Sequence, residues 1–94
     1  MTEIDTLHIL NKAPEHPRSA ECLRAIEPGD VLLLIESAVL TLATCSDLQA
    51  GITIYALAPD VLARGIAHST AEASLVDFAA MVELTVQAQK VISW

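Results

Sequence analysis

Short apolar runs alternate with helix-period patterns along most of the chain. "DTLHILN" (Asp5–Asn11) is mostly apolar and meets the Pro-containing "KAPEHP" at once, which predicts a buried strand entering a loop. Ser19 then reads as the cap of a helix whose inner face is Leu23 and Ile26. Pro28, Gly29 and Asp30 break the chain ahead of "VLLLI" (Val31–Ile35), a second buried strand. "SAVLTLATC" suits either state. It is read as a helix, because a strand there leaves no crossover between its neighbours. "ITIYALA" (Ile52–Ala58) is the third strand, and Pro59 and Gly65 bracket the helix "PDVLAR".

"ASLVD" supplies a short fourth strand, after which Asp77 caps "FAAMVELTVQA". Phe78, Met81, Val82 and Val86 fall on one stripe of that helix, the side expected to face the core. "KVISW" closes the chain as a strand. Alternating β and α elements with near-continuous apolar strands predict an α/β fold. It is a single domain over residues 1–94, with a mostly parallel five-stranded sheet and helices on both faces. In such a sheet the loops after the strands form the functional edge. Here they are Asn11 to Arg18, Glu36 to Ala38, Ala58 to Asp60, and the Val76–Asp77 junction.

Composition sharpens this picture. Hydrophobic residues make up 53% of the chain and aromatics only 3%, so Leu, Val, Ile and Ala must build the core. So much apolar content in 94 residues also suits a subunit with surfaces covered by partners. Twelve acids against five bases give a net charge of −7, and no basic stripe forms, so direct contact with nucleic acid or an acidic membrane is not expected. Glu3 and Asp5 occupy positions where a secretory signal carries bases, and the longest apolar run is Val31 to Ile35. A cytoplasmic location is expected. There Cys22 and Cys45 are thiols rather than a disulfide.

Candidate chemistry concentrates on Cys22. With Ser19 as cap it falls at the third helical position, where free backbone N–H groups and the helix dipole favour a thiolate. Arg18, His16 and Lys12 add positive charge nearby. The same cysteine is spaced four residues from Ile26 and could equally complete the apolar face. Cys45 reads as packing, His8 as a hydrogen-bonded core histidine, and His68 as exposed. Glu36 stands at the functional edge, while Asp60 is accounted for by the dipole of the third helix. With no CxxC, no paired histidines and three glycines in all, neither a metal nor a nucleotide cofactor is expected.

Four blocks resemble the DsrH/TusB family of small sulfur-relay proteins. They are "LHILNKAP" (Leu7–Pro14), "GDVLLLIESAV" (Gly29–Val39), "IYALAPDVLARGI" (Ile54–Ile66), and "VDFAAMVELT" (Val76–Thr85) with Trp94. The resemblance implies a DsrE-like, flavodoxin-like three-layer fold. It implies assembly with DsrE/TusD-like and DsrF/TusC-like subunits into a heterohexamer that hands persulfide sulfur to a downstream carrier protein. The pathway served would be sulfur oxidation or tRNA 2-thiouridine synthesis. "SAECLRAI" puts Cys22 at the position of the thiol of the DsrH branch, which typical TusB sequences lack. Where the family commonly has acid-Gly-Val after strand two, this chain has Ser37-Ala38-Val39. Three functions compete: a sulfurtransferase subunit acting through Cys22, a structural subunit of the same complex, and a free-standing homo-oligomeric ligand-binding domain.

Overall fold

In the computed structural model, residues 4–44, 52–66 and 73–94 are described. Five strands form one parallel sheet: β1 (Ile4–Leu10), β2 (Val31–Leu34), β3 (Thr53–Leu57), β4 (Ala73–Val76) and β5 (Ala88–Ser93), in the order β4-β3-β2-β1-β5. The helices between them are α1 (Pro17–Ala25), a 3-10 turn (Glu36–Leu40) running into α2 (Thr41–Thr44), α3 (Ala58–Ala63) and α4 (Phe78–Gln87). The doubtful "SAVLTLATC" segment is therefore helical as far as Thr44, while Cys45 and His68 lie outside the described residues.

The order of strands explains where the helices lie. The first three crossovers step across the sheet in one direction, and the last returns from β4 to β5 over its full width. With right-handed crossovers, a connection in the opposite direction must pass over the opposite face. Accordingly Cys22 and Ile26 from α1, Ala38 and Val39 from the 3-10 turn, and Val61 from α3 pack with Leu10, Leu32, Leu34, Ile54 and Ala56. On the other face Leu84 of α4 packs with Ile4, Leu7, Val31 and Leu33. Successive residues of β2 thus serve opposite layers, as the two-residue repeat of a strand requires. All four of them are buried, the reason "VLLLI" shows no polar alternation.

One expectation needs correcting. The stripe Phe78, Val82 and Val86 points away from the sheet, with 62%, 60% and 71% of each residue exposed. Leu84 and Met81 take the inner face instead. The helix is apolar on both sides, so periodicity alone could not select which side the sheet would cover.

The turn before β2 holds itself together through Asp30. Its Oδ2 accepts from the Glu27 backbone N–H at 3.0 Å, and its own N–H donates to the Glu27 carbonyl at 3.0 Å. Gly29 between them sits at φ +95°, and a Cβ there would come within 3.0 Å of Asp5 Oδ2, so only glycine is at ease.

Candidate functional site

The parallel strands all end on one edge, so the four predicted loops do gather there. The first of them starts α1, and its details decide the environment of Cys22. His16, not Ser19, is the N-cap: His16 Nδ1 accepts from the Arg18 backbone N–H at 3.0 Å, and Pro17 takes the first helical position. Ser19 is turned inward and buried. Its hydroxyl donates to the Ala13 carbonyl at 2.7 Å, which ties the loop to the helix. A proline following the histidine was the signal for the earlier start, because Pro fits the first turn and lacks the N–H that later positions must donate.

The earlier cap moves Cys22 three places deeper, to the sixth helical residue. There its N–H lies within the intrahelical bonding, beyond the turn where the dipole acts. The side chain has no exposed surface and packs among the residues of the α1-side core. Burial pushes the Cys22 thiol up from 9.0 to about 12, because a thiolate in that apolar layer would lose its hydration.

The supporting side chains named from the sequence make bonds elsewhere. Lys12 Nζ donates to Asn11 Oδ1 at 2.6 Å and to the Trp94 carbonyl at 2.9 Å. Arg18 Nη1 pairs with Glu21 Oε2 at 3.3 Å on the exposed side of α1, and the Nδ1 of His16 is occupied by capping. Lys12, His16 and Arg18 share one loop and helix start, but none of these bonds reaches Cys22.

Glu36 opens the 3-10 turn after β2 and is exposed. Its backbone is left-handed at φ +52°, a conformation a glycine would adopt without cost. The N–H of Glu36 donates to Asp60 Oδ2 at 2.7 Å. Asp60 therefore does more than complement a helix dipole, since it pins the β2 loop to the start of α3. Arg64 Nη2, from the end of that helix, donates to Ser37 Oγ at 3.4 Å, a longer second tie between the same two segments.

Two residues gained significance that their sequence context did not signal. His8 is a buried core histidine as expected, but its partner is Asp30, with Nε2 to Oδ2 at 3.0 Å. Trp94 donates from its indole Nε1 to His8 Nδ1 at 3.1 Å. Positions 22 and 86 residues apart come together only because β1 lies between β2 and β5. Among the described residues there is no group of three or more His, Cys, Asp or Glu side chains able to hold a metal ion. No described helix is long and apolar enough to cross a membrane.

Two solved structures share the fold. The E. coli ychN protein superposes with a TM-score of 0.77 at 16% identity, covering 97% of this chain and 99% of that one. Protein Tm0979 from Thermotoga maritima gives 0.68 at 22% identity, covering 86% and 91%. Sequence similarity is higher to proteins named TusB. The chain is 38% identical over 95 residues to that of Klebsiella pneumoniae (strain 342) and 31% over 94 residues to that of Escherichia coli K12, each match covering 94% of this chain and 99% of the relative. A profile described as DsrH like protein matches residues 12–91, and with that span and these relatives the chain belongs to the DsrH family.

Proposed function

We propose that this chain is a subunit of a sulfur-relay assembly and that its part there is structural, with the transferring thiol supplied by a partner subunit. Family membership supports the assembly, and the similarity to TusB proteins supports the tRNA 2-thiouridine branch of the two that the family resemblance implies. One observation carries the structural role: Cys22 has no exposed surface. In persulfide transfer an acceptor thiolate attacks the sulfane sulfur of the donor. A new S–S bond forms, the donor's S–S bond breaks, and the donor sulfur leaves as its own thiolate. That step needs an accessible sulfur with a substantial thiolate fraction at working pH. Cys22, pushed up to about 12 and enclosed by core side chains, offers neither.

The unpartnered side of α4 supports the same reading. Phe78, Val82 and Val86 lie i, i+4 and i+8 on a helix whose one charged residue is Glu83, a surface with the character of an interface rather than of a solvated face. DsrE/TusD-like and DsrF/TusC-like subunits are the partners this reading assigns to it.

The test is reconstitution with those partner subunits. A complex containing Cys22→Ala should assemble and pass sulfur from a persulfide-loaded donor to the downstream carrier at the wild-type rate. A complex that assembles but loses transfer by a factor of ten or more would assign the carrier role to Cys22 and overturn the structural one.

A further inference from the structure

We infer that His8, Asp30 and Trp94 form a proton-operated latch that holds the Trp94 indole against the α1-side core and lets go when His8 is protonated. Hydrogen-bond chemistry fixes the state of the histidine. An indole N–H can only donate, so the contact of 3.1 Å makes His8 Nδ1 the acceptor and leaves it without a proton. The ring proton then sits on Nε2 and is donated to Asp30 Oδ2 at 3.0 Å. The two rings are inclined by only 23° with centroids 6.1 Å apart, which suits a bond made edge to edge in the ring planes rather than a face-to-face stack.

Adding a proton has opposite effects on the two sides of the imidazole. Toward Asp30 the bond becomes charge-assisted and stronger. Toward Trp94 the only acceptor becomes a second donor, and two N–H groups confront each other at van der Waals distance. Protonation therefore keeps His8 in place and expels the indole. The backbone of Trp94 stays anchored, because its N–H donates to the Ile9 carbonyl at 2.9 Å and its carbonyl accepts from Lys12 Nζ. What moves is the side chain.

The surroundings permit this. His8, Asp30 and Trp94 line a cleft of about 380 Å3 between the sheet and the end of α1. Among the described residues, the charged groups around it are Asp5 on β1, Glu27 and Asp30 in the turn before β2, and Lys90 on β5, with Lys12 bonded to the Trp94 carbonyl. Three carboxylates against two ammonium groups do not oppose a positive charge on His8. Release of the indole widens that cleft. It also uncovers part of the core layer containing Cys22, against which Trp94 packs.

Trp94 is the one tryptophan of the chain, so its emission reports on the latch directly. The experiment titrates the full chain from pH 8 to pH 5, following the emission maximum, with the His8 imidazole followed by NMR. The expected result is a shift of emission to longer wavelength with the same midpoint as His8, absent in His8→Gln. Trp94→Phe keeps an aromatic ring but removes the donor. In that variant His8 Nδ1 loses its donor, and its 15N resonance at pH 8 should move downfield, as an unprotonated ring nitrogen does when a hydrogen bond to it is removed. The latch is overturned if the emission maximum stays fixed while His8 takes up a proton, if the shift persists in His8→Gln, or if Trp94→Phe leaves the His8 Nδ1 resonance at pH 8 unchanged. Should His8→Gln fail to fold, the Trp94→Phe comparison decides alone.

Discussion

At the scale of single residues, Cys22 is a small apolar filler whose thiol is costly to ionise. Replacing it by alanine removes one buried sulfur and should cost about 1 kcal/mol, since the cavity left is small. The thiol also makes stability depend on pH in a way that alanine cannot. Its pKa in the folded chain is raised to about 12 from 9.0, so ionisation favours the unfolded chain. The contribution is intact below pH 9 and is lost as pH rises toward 12. By pH 10.5 the unfolded thiol has gained about 2 kcal/mol from ionisation that the folded one has not, at ~1.4 kcal/mol per pH unit. Chemical denaturation of wild type and Cys22→Ala at pH 8 and pH 10.5 should show the difference between them shift by that amount against the wild type. A pH-independent difference would mean that the thiol ionises in place.

At the scale of elements, the start of α1 and the facing of α4 are where structure and sequence part company. Ser19 had the right chemistry for a cap but the wrong position, since its hydroxyl is spent on the Ala13 carbonyl inside the fold. Ser19→Ala should therefore behave as the loss of one buried hydrogen bond, costing about 1 kcal/mol in denaturation, since the Ala13 carbonyl keeps the His16 N–H at 2.9 Å as a donor. A loss of a few tenths would point to solvent taking its place. The first four strands were legible because each holds a short apolar run and the breaks between them hold Pro or Gly, whereas β5 follows α4 with neither and is marked only by its own β-branched residues Val91 and Ile92. The inner stripe of α4 was not legible, for apolar residues occupy both its sides and the sheet covers only one. The His8–Asp30–Trp94 contact was equally out of reach, depending on strand order rather than on any local spacing.

At the scale of the whole molecule, the apolar content divides into two cores, one on each face of the sheet, and an outer remainder that neither uses. That remainder includes Phe78, Val82 and Val86 on α4, and Val91 on the edge strand β5, 42% exposed. A charge placed in the stripe should leave the folded monomer intact and weaken assembly. Val82→Glu is expected to change the stability of the isolated chain by no more than about 0.5 kcal/mol, as for other exposed positions. Co-purification with DsrE/TusD-like and DsrF/TusC-like subunits should drop at least tenfold, and unchanged recovery would move the interface to another face.

The structural role rests finally on whether sulfur can load onto this chain. The most direct measurement is intact mass after exposure of native Cys45→Ser protein to a persulfide-loaded sulfur donor, with partner subunits present. In that background Cys22 is the one remaining cysteine. A structural subunit gains no mass, and its Cys22 reacts with an alkylating reagent only after unfolding. The gain of one sulfur atom, reversed by reduction and absent in Cys22→Ala, would make Cys22 a carrier and contradict the account.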